Sequence, residues 1–408
     1  MSTSKLLPVA ALALSTVSAQ DPRIRFNATV RGRLETSSPL GELGGFDSTF
    51  LATRVRLAIR ARTTASTLLV AEFQDSEASA LRGAAARPVF GNTSDVHQLY
   101  LQWGAAERGW RFRGGRQELP LQDERLVGAD RDWCNLGRSF DAASVDYRAP
   151  GREFSFFAGS AVRSDHLRWD RLLGPDHAAG MHAKFVYRDR LRLAPYALLK
   201  EKRADDLLPR RHIATLGTQA AFRFRESLSF ATEMARQTGR WGSLEAAGWA
   251  GSWDAIVTVP WGDRPPAITA GYKHASGAKG RRAAFDDLYP AGYNSAGILD
   301  PFAWRNLRDL AIVADWQFHP KLKLAVEEHA YWRANRQDGV YLDDGLPIAM
   351  DGNDAWLGQQ TNAALFWQFR EKVEARMGLG WFVPGSLLRA NGVPRPARTF
   401  FLSFEYSL

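Results

Sequence analysis

Arginine alternates with large apolar residues along several stretches of the chain, and this period of two constrains the fold more than any other feature. Between residues 23 and 35 the apolar side chains occupy even positions, from Ile24 and Phe26 to Leu34, whereas the odd positions hold polar residues that include Arg31 and Arg33. A helix would scatter both sets around its circumference, but a strand places them on opposite faces. The pattern therefore predicts strands with one apolar and one cationic face.

The same alternation returns in later segments, separated by stretches rich in Gly, Pro and Asp. Their cationic members include Arg54, Arg56, Arg60, Arg62, Arg111, Arg113, Lys184, Arg223 and Arg225. We count about 18 segments of this kind, within a range of roughly 16–18, which is typical of a transmembrane barrel. Two segments, 228–237 and 244–253, are ambiguous. The predicted fold is an all-β, antiparallel, up-and-down transmembrane β-barrel.

Connections of unequal length fit this fold, because such barrels have short periplasmic turns and long outer loops. The connections that we expect to be long are 35–49, 75–95, 114–139, 200–211, 276–308 and 335–355. The last segment, Thr399 to Leu408, alternates like the terminal strand of bacterial outer-membrane proteins, although that strand usually ends in Phe rather than in Leu408.

A soluble β-sandwich with one wet face would also alternate. Its exposed face, however, normally carries mixed charge, whereas several strands here carry arginine with few acids. Packing like charges together is unfavourable, but a barrel of about 16–18 strands encloses water that solvates them. On the lipid side each arginine would cost about 2–4 kcal/mol at the midplane. The cationic face is therefore expected to surround the lumen.

Most of the cationic side chains are arginine. The chain has 53 Lys and Arg residues, of which nine are Lys, against 44 Asp and Glu. A guanidinium binds carboxylate, phosphate or sulfate through a planar fork, and rings of Arg or Lys make anion-preferring pores. A GC-rich genome is the alternative source of the arginine. We predict that all the cationic residues named above contact the pore or its solute. Their alternative role is ion pairing with inner carboxylates such as Glu72, Glu327, Glu374 and Glu405.

The first residues indicate export. Lys5 precedes the short apolar run Leu6–Leu14, and Val17-Ser18-Ala19 forms a small-residue cleavage site. We expect a signal peptide at 1–19 and a single barrel domain at 20–408, located in the outer membrane of a bacterial cell. No later stretch approaches 18 apolar residues, and Cys134 is alone, so no disulfide and no thiolate cluster is predicted.

Three stretches are similar to the bacterial alginate export family of outer-membrane barrels. The first is Gly115-Arg116-Gln117-Glu118-Leu119, followed by Asp123-Glu124-Arg125-Leu126-Val127-Gly128, Asp132-Trp133 and Gly137-Arg138-Ser139-Phe140-Asp141. The second is Phe285-Asp286-Asp287-Leu288-Tyr289-Pro290, followed by Gly297, Asp300, Phe302, Trp304, Arg305, Asn306 and Leu307. The third is Gly380-Trp381-Phe382-Val383-Pro384-Gly385-Ser386.

This resemblance implies a barrel with an Arg-lined channel for an anionic polysaccharide or oligosaccharide such as alginate, moving outward or inward. It places Arg116, Arg125 and Arg138 at the pore, on an inward-folded loop. Loop-holding ion pairs with Asp123, Asp130 or Asp141 are the alternative. Trp304 is expected to anchor the barrel at the membrane interface, or else to form a sugar platform. The family usually has Glu and Asp where this chain has Gln360 and Asn362.

The sequence carries no motif for catalysis, a cofactor, a metal or nucleic-acid binding, so we predict a channel rather than an enzyme. The acidic stretch with Asp343, Asp344, Asp351 and Asp354 is interpreted as solvated loop charge, with a calcium site as the alternative. Expected partners are a uronate-type saccharide, outer-membrane lipid with lipopolysaccharide, and periplasmic export or uptake components. A general anion-selective porin and a non-conducting structural or adhesive barrel remain alternative functions.

Overall fold

A computed structural model describes residues 23–38, 40, 47–82, 91–104, 107–119, 121, 123–129, 134–165, 168–205, 208–292, 297–342 and 346–408. The expected signal peptide at 1–19 lies outside these ranges. Asp130, Asp132 and Trp133 of the first motif also lie outside them, as do Asp343 and Asp344 of the acidic stretch.

Eighteen strands form the barrel within these ranges. They are β1 (Ile24–Ser37), β2 (Ser48–Arg62), β3 (Thr67–Arg82), β4 (Asn92–Gly104), β5 (Gly109–Gln117), β6 (Phe140–Ala149), β7 (Arg152–Ala161), β8 (Asp176–Tyr187), β9 (Leu191–Lys202), β10 (Arg211–Arg225), β11 (Leu228–Trp241), β13 (Trp249–Thr258), β14 (Ala267–Ala275), β16 (Leu307–His319), β17 (Leu322–Arg333), β18 (Trp356–Arg370), β19 (Val373–Pro384) and β20 (Ala397–Ser407). Two short strands, β12 (Leu244–Ala246) and β15 (Arg282–Ala283), pair in parallel, and one short helix, α1 (Ser386–Ala390), precedes β20.

The sheet closes on itself. Each barrel strand pairs antiparallel with the next one along the chain, and β20 returns to β1, from Thr29 opposite Ser407 to Ser37 opposite Thr399. A closed sheet leaves no edge whose backbone N–H and C=O groups would lack partners in lipid. The predicted antiparallel barrel is confirmed, with the strand number at the top of the predicted range.

The two faces of the wall differ as the alternation predicts. On β2, Leu57 and Ile59 are 41% and 40% exposed, whereas Arg54 and Arg56 are 3% and 7% exposed. Exposed apolar side chains in a membrane barrel face the acyl chains. We therefore call the side that carries Leu57 the outer face and the opposite side the inner face. No helix in the described ranges is long and apolar enough to cross a membrane.

The connections sort by length between the two ends of the barrel. Turns of a few residues at one end include 63–66, 150–151, 188–190, 226–227, 320–321 and 371–372, and β1 begins and β20 ends at this same end. The long connections at the other end include 38–47, 83–91, 118–139, 162–175, 276–306 and 334–355. By the usual asymmetry of such barrels, the first end is periplasmic and the second extracellular.

Two of the long connections fold against the inner face and against each other. We call residues 118–139 the first loop and residues 276–306 the second loop. Leu126 and Val127 of the first loop share an apolar cluster with Phe285 and Leu288 of the second, and Val127 pairs in parallel with Tyr289. The loops therefore fill part of the lumen of a barrel that is too wide for strand side chains alone to fill.

The assignment of the faces predicts how substitutions affect stability. Leu57→Arg puts a guanidinium among acyl chains and should lower the free energy of unfolding by about 2–4 kcal/mol. Arg60→Leu, on the inner face of the same strand, is the control and should change it by less than about 1 kcal/mol. Denaturant unfolding of the barrel in phospholipid vesicles measures both values. Equal losses for the two variants would contradict the assignment.

Candidate functional site

Four buried arginines on the inner face of β1 and β2 form what we call the arginine ladder: Arg31, Arg33, Arg54 and Arg56. Two of them bind the first loop at a single main-chain oxygen. The Cys134 carbonyl accepts hydrogen bonds from Arg31 at 2.7 Å and from Arg54 at 3.3 Å, and Arg31 also donates to Asn135 Oδ1 at 3.1 Å. Arg54 is further paired with Glu405 on β20 at 3.1 Å. Arg31 and Arg54 therefore hold the first loop against β1 and β2.

Arg56 binds the loop two residues beyond Cys134. Its Nη2 donates to the Leu136 carbonyl at 3.4 Å, and its Nε donates to Gln74 Oε1 at 2.6 Å, while Gln74 donates to the same Leu136 carbonyl. Gly137 has a φ of +73°, and a Cβ on it would lie 2.7 Å from Arg56 Nη2. Glycine is therefore required here both for the backbone conformation and for the close approach of the guanidinium.

Arg33 is used differently from its neighbours. Its guanidinium pairs with Glu35 at 2.7 Å and lies 4.4 Å from the centre of the Phe401 ring. A buried cation needs such compensation, because leaving it unpaired would cost several kcal/mol. The acids in contact with the ladder include Glu35 on β1 itself and Glu405 on β20, so the inner face is less purely cationic than the strand patterns suggested.

The first loop is also held on the opposite side of the lumen, by Arg125. This guanidinium pairs with Asp123 at 3.2 Å, with Asp254 at 3.4 Å and with Glu233 at 3.6 Å, and it donates a hydrogen bond to Ser252. Asp123 comes from the loop, whereas the other partners come from β11 and β13. Nearby acids raise the pKa of Arg125 against the opposing effect of burial. The loop thus bridges two distant sectors of the wall.

Arg138 joins the two loops. It donates to the carbonyls of Tyr289 at 2.6 Å and Pro290 at 2.8 Å in the second loop, and to Gly128 in the first at 3.3 Å. A guanidinium has five donors and can satisfy several main-chain oxygens at once. The two loops therefore form one connected structure inside the barrel.

The second loop is anchored through two adjacent acids, Asp286 and Asp287. The residues that bind them were not predicted from the sequence. Asp286 is fully buried and pairs with Arg211 at 2.9 Å, Lys200 at 3.3 Å and Arg305 at 3.1 Å. Arg305 also pairs with Asp287 at 2.7 Å. Two adjacent acids in an apolar motif were a signal that cations must lie nearby. The partners on β9 and β10 are far away in sequence, so the signal could not identify them.

Three further predicted cations lie on the inner face of β5 and β8 in ion pairs. Arg111 and Arg113 share Asp146, at 2.7 and 3.4 Å, with side chains that are 15% and 19% exposed. Lys184 pairs with Glu153 at 3.3 Å and is more open, at 36%. Two guanidiniums on one carboxylate leave a net positive charge, which remains available to a solute anion.

Arg60, Arg62, Arg223 and Arg225 are exposed, and the described residues offer them no ion pair. They lie at the periplasmic ends of β2 and β10. Alternation with Ile59 and Phe222 places Arg60, Arg62 and Arg223 on the inner face. A bulge after Arg223 puts Arg225 opposite Leu228, which lies on the outer face. Of the fourteen predicted pore residues, these four are the most accessible as a group.

Arg116 does not join them. It pairs with Asp141 at 2.8 Å, is 5% exposed, and lies in register between Leu99 and Asp141. This contact is the ion pair that was the alternative to a role of Arg116 at the pore.

Trp304 is 2% exposed and packs edge-on against Phe285 at 5.6 Å. The expectation of an interfacial anchor or a sugar platform is therefore wrong for Trp304, because its ring is enclosed by the second loop.

Gln360 and Asn362 are also buried, at 0% and 1% exposure. Gln360 donates to Asn362 at 2.8 Å, and Asn362 donates to Glu327 at 3.3 Å. A Cβ on Gly297 of the second loop would come within 2.3 Å of both amide nitrogens. The two amides therefore contact the second loop instead of presenting themselves to an open passage.

Two polar clusters remain between the wall and the loops. A cavity of about 230 Å³ is lined by Arg125, Lys273, Asp254, Glu327 and His329, a mixture that can bind both carboxylates and hydroxyls. Glu72, His97 and Glu118 offer ligand atoms within 4.8 Å of one another, but Arg56 lies 3.8 Å from Glu118 and 3.9 Å from Glu72. In this geometry the cation that the two carboxylates hold is a guanidinium.

Part of the acidic stretch lies in the described ranges. Asp354 accepts hydrogen bonds from the Ser386 hydroxyl and the Trp356 amide, and these bonds lower the pKa of its carboxyl group. Asp351 donates through its amide to Asn391 at 2.7 Å. These contacts fix the loop before α1, and the calcium alternative stays a prediction.

Removing two ladder contacts should release the first loop. Arg31→Gln with Arg54→Gln deletes two charge-assisted bonds to Cys134, each contributing about 1.5–3 kcal/mol. We expect Cys134 to react with a charged, membrane-impermeant thiol reagent at least about tenfold faster, since 1.4 kcal/mol is tenfold in population. Arg60→Gln, which touches no loop, is the control. An unchanged rate in a folded double variant would show that the ladder does not hold the loop.

The connection 162–175 should respond to pH. Burial, with the neighbouring Asp95 as a further cause, raises the pKa of Asp170 from 3.8 to about 6. The docked connection then binds a proton that the undocked one does not, so docking weakens as the pH rises from about 4 to 6. We expect Asp170→Asn to slow amide exchange at 160–175 on the order of tenfold at pH 7.5, but little at pH 4. The same ratio at both pH values would refute this.

Comparisons with known proteins agree with this geometry. A model of the alginate export family matches residues 23–400, whereas no curated protein matches the sequence. Among solved structures, Pseudomonas aeruginosa OccK3 (OpdO) is 12% identical, with a TM-score of 0.65 over 94% of this chain and 95% of that one. Acinetobacter baumannii OccAB4 is 10% identical, with a TM-score of 0.66 over 95% and 99%.

The outer membrane protein OprD of P. aeruginosa is 10% identical, with a TM-score of 0.65 over 96% of both chains. At these identities the likeness shows the fold alone, which is that of outer-membrane porins. The family match spans nearly all of the barrel and brings in the channel function and the outer-membrane location. The chain belongs to the alginate export family of outer-membrane channels.

Proposed function

We propose that this outer-membrane channel passes an anionic saccharide of the uronate type, such as alginate, along arginines on its inner face. The observation that carries the proposal is the set of exposed arginines on the inner face at the periplasmic end, Arg60, Arg62 and Arg223, to which the described residues offer no ion pair. Charges of one sign in a water-filled tube with a low-dielectric wall raise the local concentration of the opposite ion. A polyanion would therefore be drawn to this end of the lumen.

Further cations along the inner face support a path beyond this entrance. The pair Arg111 and Arg113 shares a single carboxylate and keeps a net positive charge. Farther along, the 230 Å³ cavity next to the loops combines Arg125 and Lys273 with acids, so it offers partners to both the carboxylates and the hydroxyls of a saccharide. Conduction requires attraction that is strong enough to admit the solute but is repeated, so that it can leave. Spaced guanidiniums meet this requirement for a chain of carboxylates.

The ladder contributes in a second way. Its guanidiniums hold the main-chain oxygens of Cys134 and Leu136. An ionised carboxylate is a stronger acceptor than a carbonyl, so a uronate that reaches the ladder can compete for these donors. Displacing the carbonyls of Cys134 and Leu136 in this way gives the solute a means of widening the passage.

Ion selectivity tests the charge of the path. In planar bilayers with a salt gradient, we expect the wild-type channel to prefer anions. The threefold variant of Arg60, Arg62 and Arg223 to Gln should lower the anion-to-cation permeability ratio severalfold, because it removes three positive charges from the inner face. Arg336→Gln, which replaces an exposed extracellular arginine, is the matched control. Cation preference in the wild-type channel, or no channel at all, would overturn the proposal.

Block by saccharides separates the solute classes. Short alginate oligomers added on the periplasmic side should block the current at micromolar concentration, and the threefold variant should need at least about tenfold more. Neutral oligosaccharides of equal length provide the control. Anion selectivity without block by any oligouronate would favour the alternative, a general porin for small anions.

A further inference from the structure

A second group of arginines lies on the outer face, on β11 near the extracellular end. Glu233 and Gln237 of this strand point inward, because they contact Tyr196 on the inner wall and Asp286 in the second loop. The even-numbered residues between and beyond them therefore point outward, and Met234 on that face is 48% exposed. Arg236 and Arg240 belong to the same outward set.

The position of these arginines along the strand places them at the membrane boundary. Leu228 begins β11 at the periplasmic end, and Leu228, Phe230 and Met234 form its apolar outer stretch. A strand tilted by roughly 40° rises about 2.5 Å per residue along the membrane normal, so Arg236 stands about 20 Å above Leu228, near the top of an apolar band about 25 Å tall. Arg240 lies four residues farther along the strand, about 10 Å above Arg236.

Aromatic residues mark the same level on the neighbouring strands. Arg236 is opposite Trp249 on β13, whose ring stacks on His274 of β14 at 4.3 Å. His274 is in turn opposite Arg308 on β16, and Arg308 is opposite Trp332 on β17. Tryptophan is enriched at the interfacial girdles of such barrels. The row therefore alternates cations and aromatic rings along the rim of the outer leaflet.

Arg236 and Arg240 have no ion-pair or hydrogen-bond partner for their side chains in the described part of the chain, unlike the arginines of the ladder. Above them, a cavity of about 640 Å³ is lined by Arg210, His212, Thr238, Arg240 and Glu245. Arg210 pairs with Glu201 at 2.6 Å, and Glu201 lies opposite His212 in register. Glu245 lies between Arg240 and Arg282 in register, so a single carboxylate faces two guanidiniums. The site has an excess of positive charge and room for a headgroup.

We propose that this outer cleft binds the phosphorylated headgroup of a glycolipid of the outer leaflet. A guanidinium grips phosphate through two parallel hydrogen bonds, and basic pockets at the membrane surface bind anionic headgroups. Arg240 binds one phosphate in the cleft, and Arg236, four residues below, binds a second negative group nearer the acyl chains. Met234 and Leu216, which is 64% exposed, provide the apolar surface for those chains.

The test uses the purified full barrel in detergent and measures its binding of hexa-acylated lipid A with two phosphates. We expect Arg236→Gln with Arg240→Gln to weaken binding at least about tenfold. Arg236→Lys with Arg240→Lys should recover part of it, because the charge returns without the fork. The control is Arg264→Gln, an exposed arginine in the periplasmic turn 259–266, which should bind as the wild type does.

Two further lipids identify what is recognised. Fully dephosphorylated lipid A should bind the wild type no better than the double Gln variant binds the phosphorylated lipid. Phosphatidylglycerol carries phosphate without the sugar, and equal binding of it would overturn the glycolipid assignment. Unchanged lipid A binding in a folded double variant would overturn the site as a whole. Anion selectivity in bilayers is measured on the same variants and should not change. The lipid site is therefore tested independently of the proposal about the transported solute.

Discussion

Guanidinium groups on the inner wall binding main-chain carbonyls of inward loops are the interaction on which the interior of this barrel depends. An 18-stranded wall encloses more space than strand side chains can fill, so loops must enter. Loops carry irregular backbone, and each buried C=O in them needs a donor. Arg31 and Arg56 on the wall supply donors at Cys134 and Leu136, and Arg138 in the first loop supplies one at Tyr289. A guanidinium presents its donors in a fixed planar fork, which suits several oxygens at set positions better than the compact ammonium of lysine does.

The wall could be predicted from the sequence because its determinant is local. Alternation on β2 or β5 is visible within ten residues and reports the solvent on each side. The boundaries were less predictable. β3 runs through Thr67–Arg82, well into the stretch 75–95 that was expected to connect strands, and the ambiguous segment 228–237 lies within β11. Strands that continue beyond the membrane no longer need an apolar face, so the alternation stops before the hydrogen bonding does.

The interior could be predicted only in part, because its contacts join residues far apart in sequence. Alternation indicated the face on which Arg54 lies, but not whether its guanidinium meets water or a carbonyl 80 residues away. The adjacent acids of the second motif predict that cations lie nearby, but they do not identify them. Lys200 and Arg211 are 86 and 75 positions from Asp286. The prediction for Trp304 failed for the same reason. A tryptophan in a loop is expected at the membrane interface, and the sequence does not show that this loop folds into the lumen.

The arginines fall into two groups according to whether an acid or an aromatic ring compensates the guanidinium. Where the protein itself covers a guanidinium, as at Arg33 or Arg211, an acid or an aromatic ring compensates it. Where the guanidinium is exposed, as at Arg62 and Arg240, the described part of the chain offers it no ion pair. Since an unpaired charge is tolerated only where something mobile solvates it, such arginines can bind ions from outside the protein, as we propose for the periplasmic entrance and the rim of the outer leaflet.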